Sequence, residues 1–274
     1  MQEYRAAGAG FSTSAMGNNG SATRIPMKAL RTAAAVSPIV SFTANRLLSS
    51  LPASSLTRLR PHLKEVALSK EQYLFQQDER IDAIYFPETA VISEYQILED
   101  GRTIEVSITG RDSAIGIPSA FGSRRAINCS QVCIGGKALR IQSDLLEKEL
   151  SICEEIQRPL QDTIVRQMKH LSQKVICNTF HSVEQRFCTW LLMLSDLSGM
   201  NALRITHEHA ARVLGVHRPS ITCIAQGLRD RGLIEYSRAR IMIRDRPGVE
   251  KNACVCYVES AAVEADVWKN IPRM

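Results

Sequence analysis

The chain has 274 residues, carries a formal charge of +6, and is 45% hydrophobic and 23% charged. That balance fits a globular protein with its own core and excludes a wholly disordered, collagen-like or disulfide-knot chain. No run approaches the ~18 apolar residues that a membrane helix needs, so no membrane partner is expected, and an aromatic content of 5% argues against a base-stacking single-strand binder.

Residues 1–44 include GAGFSTSAMGNNGSATRIP, which has no sustained hydrophobic period. Such a segment buries too little apolar surface to offset its ordering entropy, and a disordered tail is predicted. Its basic residues, Arg5, Arg24, Lys28 and Arg31, face a single acid, Glu3, a bias also found in organelle transit peptides. A plain extension, or a translation start at Met16 or Met27, is the simpler reading.

From Asn45 the leucines at 47, 48, 51, 56, 59 and 63 fall at helical spacings, with Pro52 dividing two short helices. The period then changes. Glu65–Leu68, Tyr73–Phe75, Ala83–Phe86, Val91–Ile97, Thr103–Ile108, Gln131–Ile134 and Ala138–Ile141 read as short strands separated by turn residues. Asp100-Gly101 is the strongest hairpin signal, because glycine adopts positive φ at no steric cost. The spacing predicts an antiparallel sandwich or roll of roughly 80–100 residues. Glu94, Glu99, Asp100 and Glu105 are expected on the solvated face of its hairpin.

Asp144 starts a short helix that runs through Leu150, and Pro159 suits the first turn of a long one. Along that helix Ile156, Leu160, Ile164, Met168, Leu171 and Val175 form a narrow stripe. Spacing alone leaves two readings open, a coiled-coil seam or an ordinary core face. His181–Leu197 is a further helix, with Ser182 and Gln185 placed as a capping box and Ser198-Gly199 ending it.

Residues 207–226, HEHAARVLGVHRPSITCIAQ, meet the requirements of a helix-turn-helix. Ala210 and Ala211 leave room for a crossing helix, Gly215 makes the turn, and Val213 or Leu214 with Val216, Ile221, Ile224 and Leu228 fill the shared core. Thr206 caps the first helix and is counted among the DNA-binding residues. The second helix, 217–230, then turns His217, Arg218, Pro219, Ser220, Thr222, Cys223 and Gln226 toward a DNA major groove, where Arg reads guanine and Gln reads adenine. A β-hairpin wing follows, bearing Arg238 and Arg240. Between 201 and 246 nine arginines oppose four acidic residues, so this window holds +5 of the chain's +6. Such a concentrated patch suits phosphate binding. His207 and His209 sit two apart on a helix, do not converge on a metal, and are expected at the surface or on phosphate.

The eight cysteines mostly lie within apolar patterns, as reduced thiols of a cytoplasmic protein do. Cys129 and Cys133 fit one strand, and Cys254-x-Cys256 reads as an incidental pair in the tail. Neither has a second ligand pair of zinc spacing, so no metal and no cofactor is expected. No P-loop, H-E-x-x-H or G-x-S-x-G motif occurs, and the chain is read as a non-enzyme.

The order of roll, long helix, helix, helix-turn-helix and wing resembles the Crp/Fnr family of bacterial transcription regulators over about residues 45–257. The stretches that carry the resemblance are HSVEQR at 181–186 with WLLM at 190–193, Thr206 through Thr222, GLIEYSR at 232–238 and CVCY at 254–257. It implies an α+β chain: a jelly-roll-like, cyclic-nucleotide-binding-like antiparallel β-roll over 45–155, a dimerisation helix over 156–180, a winged helix-turn-helix over 181–257 and a tail over 258–274. It also implies a homodimer joined through Leu160, Ile164, Met168, Leu171 and Val175, double-stranded DNA with an inverted-repeat site, and RNA polymerase as partner of an activator.

Departures from the family pattern narrow the reading. Pro219 and Cys223 replace a Glu and a second Arg of the family's reading helix, so the target sequence should differ. Where nucleotide-binding members carry Gly-Glu and Arg-Ser, this chain has Gly116-Ile117 and Arg125-Ala126. Arg125 is left as the one effector-binding candidate, and cyclic AMP is not expected to bind. The first cysteine is Cys129, too late for the family's N-terminal iron–sulfur cluster, and His62, His170 and Cys129 lack the context of a haem ligand. The alternative reading is a small-ligand module whose main partner is not DNA.

Overall fold

A computed structural model describes residues 43–258. The expectations for the N-terminal tail through residue 42, and for 259–274, lie outside the described residues. Thr43 and Asn45 open the ordered chain: Asn45 is buried, caps α1 (Arg46–Ser49), and donates through Nδ2 to the carbonyls of Pro87 and Ser113 at 2.8 and 2.9 Å. Pro52 separates α1 from α2 (Ala53–Leu59), as its missing N–H and fixed φ require.

Seven strands follow: β1 (Lys64–Leu68), β2 (Tyr73–Phe75), β3 (Ala83–Pro87), β4 (Val91–Ile97), β5 (Thr103–Thr109), β6 (Cys129–Ile134) and β7 (Gly136–Gln142). They build two antiparallel sheets, β1-β7-β3 and β2-β6-β4-β5. Between the sheets lie Leu68, Phe75, Ile81, Ile92, Ile115 and Val132. The β4–β5 hairpin turns at Gly101, whose φ is +81° and whose N–H bonds the Leu98 carbonyl at 2.8 Å. Cys129 and Cys133 are both buried on β6, as one strand predicts.

After the roll come α3 (Ser143–Ile152) and α4 (Glu154–Phe180), which begins two residues before the predicted boundary. Ile156 and Leu160 insert into the roll's second core beside Ile84, Phe86 and Leu146, and Ile164 packs against it. Leu160 is 2% exposed and belongs to the core, not to a seam between copies, while Ile164 is half-buried against that core. Met168 and Val175 stand 62% and 66% exposed, and Leu171 is also exposed. The reason is angular: each step of four overshoots a turn by about 40°, so a stripe that starts on the roll rotates into solvent.

Next are α5 (Val183–Ser198), β8 (Ala202–Leu203), α6 (His207–Leu214), α7 (Arg218–Asp230), β9 (Ile234–Ser237), β10 (Arg240–Ile243) and α8 (Arg246–Asn252). The capping box of Ser182 and Gln185 is formed, and Gly199 ends α5 at φ +71°. The wing is a three-stranded sheet, β8-β10-β9, of which β8 had no sequence signal.

The C-terminal domain from α5 to α8, the reading head of the expected regulator, packs back on the roll. Its core of Phe187, Trp190, Leu191 and Leu194 is continuous with Val91, Cys133 and Ile134. Glu105 is consequently 2% exposed, accepting from Ser93 Oγ at 2.7 Å and facing Lys174 Nζ of α4 at 3.5 Å. Glu94 is half-buried and accepts from Ser107 at 2.8 Å. Burial raises the pKa of both carboxyls, against the lowering effect of these partners. The expected solvated face therefore holds for Glu99 and Asp100 only, because packed helices cover the rest.

Candidate nucleic-acid interface

Helix α6 starts at Thr206, whose side chain accepts from His209 N–H at 3.0 Å. It ends in a Schellman motif. Gly215 sits at φ +64°, Val216 N–H reaches the Ala211 carbonyl at 3.0 Å, and Gly215 N–H that of Arg212 at 3.3 Å. This turn swings α7 across Ala210 and Ala211, whose small side chains are buried at the crossing. Ile221, Ala225 and Leu228 form the inner face of α7, and Ile224 is half-buried beside them.

His217, Arg218, Pro219, Ser220, Thr222 and Cys223 are exposed on the other face of α7. Pro219 occupies the first turn, where a missing N–H costs nothing. Arg218 Nε lies 4.0 Å from Glu208 on α6, and both side chains are largely solvent-exposed, so the guanidinium is loosely held. Thr222 Oγ1 donates to the Arg218 carbonyl at 3.2 Å.

Gln226 departs from the expectation that it reads a base. It is half-buried, its Nε2 donates to both oxygens of Asp230 at 2.8 and 3.0 Å, and its Oε1 accepts from Tyr236 of the wing. Thr206, half-buried, is likewise occupied by its cap.

The two histidines of α6 are not free surface groups. His207 meets Tyr236 edge to face at 4.9 Å between ring centroids, and its Nδ1 is 3.2 Å from Thr222 Oγ1. Burial, then Arg218, lowers its pKa. His209 lies over Trp190 at 5.8 Å and is held neutral, its pKa lowered to about 4 by burial and then by Arg212 and Lys70.

The wing turns at Arg238-Ala239, both with positive φ, +34° and +64°. Two consecutive positive φ values make the two-residue turn that matches strand twist, usually built from Asn-Gly. Arg238 and Arg240 are exposed at this tip, with no carboxylate partner among the described residues. Other arginines of the basic window serve the fold. Arg231 pairs with Glu184, Arg244 with Glu235 at 2.7 Å, and Arg246 with Asp196 at 2.7 Å and Glu250 at 2.9 Å. The exposed arginines left for a polyanion are Arg204 and Arg212, before and on α6, Arg218 at the start of α7, and Arg238 and Arg240 at the wing tip.

Residues 185–251 match the model of the Crp-like helix-turn-helix domain. The chain carries the Crp/Fnr fold. The Crp/Fnr likeness extends to solved structures. FixK2 of Bradyrhizobium japonicum aligns with a TM-score of 0.61 at 16% identity, covering 70% of this chain and 98% of that one. A transcriptional regulator of Eubacterium rectale assigned to the Crp/Fnr family gives 0.59 at 17% identity, covering 75% and 96%. The c-di-GMP-responsive regulator CLP of Xanthomonas campestris gives 0.58 at 17% identity, covering 70% and 99%. At such identities the likeness concerns the fold. No curated protein matches the chain in sequence. Among the described residues no helix is long and apolar enough to cross a membrane.

The roll brings Arg125 Nη1 to the Asp78 carbonyl at 2.8 Å. Its neighbour Arg124 pairs with Asp144, at 2.5 Å, and with Glu147 of α3. Gly116, at φ +89°, opens a short 3-10 helix over Ile117–Phe121, and Ile117 is fully buried.

Proposed function

We propose that the chain is a homodimeric, sequence-specific DNA-binding transcription regulator of the Crp/Fnr type, a non-enzyme whose reading helix is α7. The observation that carries this reading is the pairing of an exposed, loosely held Arg218 at the start of α7 with Arg238 and Arg240 at the wing tip. A helix N-terminus enters a major groove while a wing follows the adjacent backbone. The helix dipole favours the same anionic surface.

Homodimerisation is supported by the free face of α4. Gln161, Val165, Met168, Ser172, Val175 and Thr179 recur at alternating steps of four and three, the heptad of a two-stranded seam. All six are exposed. Ile176 and Phe180 flank the seam and were missed in the sequence stripe. A two-fold dimer places its reading helices about 34 Å apart, which calls for an inverted repeat. RNA polymerase enters as a partner only where the regulator activates.

On this reading cyclic AMP is not the effector. Aliphatic and aromatic side chains fill the roll interior, Arg125 is turned to a backbone carbonyl, and Ile117 stands where a ribose-binding carboxylate would be needed. A second reading, a module governed by another small ligand, is favoured by an open cleft bordered by Ile108, Gln167, His170, Lys174 and Trp190. Selection of bound duplexes from a random library tests the main reading. One inverted-repeat motif is expected, and absence of any enriched duplex leaves the ligand-module reading in its place.

A further inference from the structure

Cys254-x-Cys256 gains in the fold the second ligand pair that it lacks in sequence. Cys177 lies in the last turn of α4, His181 caps that helix, and both face the segment after α8. The three sulfurs and a ring nitrogen of His181 all lie within 4.8 Å of one another. Cys177 Sγ is 3.5 Å from Cys254 Sγ, and Cys256 Sγ is 3.4 Å from His181 Nδ1. With Zn–S near 2.3 Å and Zn–N near 2.0–2.1 Å, the corners of a tetrahedral site stand about 3.7 Å apart. The four atoms therefore span one coordination shell, and all the cysteines are free thiols.

Polar donors reach two of the three sulfurs. Cys177, Cys254 and Cys256 are buried and His181 is half-buried. Gln173 Nε2 donates to Cys256 Sγ at 2.9 Å. Thr189 Oγ1 accepts from Cys254 N–H at 3.0 Å, which leaves its own hydrogen for Cys254 Sγ at 3.0 Å. Cysteines do pack as small hydrophobes. Such packing needs neither an imidazole nor donors aimed at two of the sulfurs.

We propose that Cys177, His181, Cys254 and Cys256 form a Cys3His site for a zinc ion, tying the end of the long helix to the C-terminal end of the reading head. Four protein ligands make a closed, structural site. Its ligands come from α4, from the hinge residue between α4 and α5, and from beyond the wing. Metal binding therefore sets the angle at which α5, and with it the helix-turn-helix, leaves α4. Binding displaces the thiol protons to solvent, and the ion's binding free energy adds to that of folding.

The test uses the full chain purified under reducing conditions. About one zinc per chain is expected by elemental mass spectrometry. After chelation, titration with Co²⁺ is expected to give the intense visible bands of tetrahedral thiolate coordination, and the melting temperature should fall on chelation and recover with zinc. The double variant Cys254→Ser, Cys256→Ser should lose the metal and the bands, whereas Cys153→Ser keeps both. Should the double variant fail to fold, the cobalt titration of the unaltered chain decides. Absence of those bands in the unaltered chain overturns the proposal. So does their persistence in the double variant, or a Cys177–Cys254 disulfide in freshly purified, metal-free protein.

Discussion

Tyr236 on the wing donates its hydroxyl hydrogen to Oε1 of Gln226 on the reading helix at 2.8 Å. This bond joins the two elements that would meet DNA, as does the Arg229 guanidinium 5.1 Å over the Tyr236 ring, and it engages the Gln226 side chain within the fold. Gln226→Ala should leave base preference unchanged in a half-site panel. Tyr236→Phe should lower stability by about 1 kcal/mol in urea unfolding, the usual worth of one hydrogen bond. A changed preference at one base pair in Gln226→Ala would mean that the side chain breaks its bonds on binding.

Arg218 and the wing arginines should separate by readout. Arg218→Ala is expected to cost about 1–3 kcal/mol and to relax preference at one base pair per half-site, the signature of a guanine reader. Arg238→Ala and Arg240→Ala should weaken all duplexes alike and flatten the salt dependence by roughly one unit of slope for each phosphate that is no longer neutralised. Affinities for matched half-site variants at several salt concentrations distinguish the two roles.

The two faces of α4 should respond differently to charge. Met168→Glu places a carboxylate on the exposed seam and should give a folded monomer by light scattering, because a charge buried unpaired between copies costs several kcal/mol. Leu160→Glu places it in the roll and should unfold the roll instead, seen as a lost thermal transition. A dimeric Met168→Glu chain would put the interface elsewhere.

His209 should contribute to acid sensitivity. Its folded-state pKa, about 4, lies below the ordinary value of 6.5. Between those values the unfolded chain binds more protons, so stability falls as pH drops from about 6.5 to 4 and is unaffected above. The full shift corresponds to roughly 3 kcal/mol, and partial exposure of the ring reduces this to about 2 kcal/mol. His209→Gln should flatten that limb of the urea midpoint against pH. Glu94 and Glu105, with raised values, act with the opposite sign and are common to both proteins, so the difference between the two curves isolates His209.

Ala239 holds φ +64° at the wing tip. A left-handed conformation costs a residue with a side chain about 1–2 kcal/mol, and glycine escapes it. Ala239→Gly should therefore raise the melting temperature without changing DNA affinity, since the Arg238 guanidinium is untouched. A fall in stability would show that unfolded-state entropy outweighs the relieved strain.

Local chemistry was legible in the sequence. The alternation of the seven roll strands, the capping box at Ser182 and Gln185, the left-handed glycines at 101, 199 and 215, and the cap of Thr206 each depend on a few neighbouring residues. Short-range backbone sterics determine such features, and the Crp/Fnr order of elements followed from them. Tertiary packing decided what long-range contact controls. Leu160 turned inward because the roll lies beside the first half of α4. Glu105 was buried because the reading head covers its strand. Gln226 was engaged because the wing folds Tyr236 back on α7. Cys177 and His181 met Cys254 and Cys256, some seventy residues later in the chain, because α8 returns the chain to the end of the long helix. Periodicity tells which face of an element is apolar, but only the arrangement of the other elements determines what that face meets.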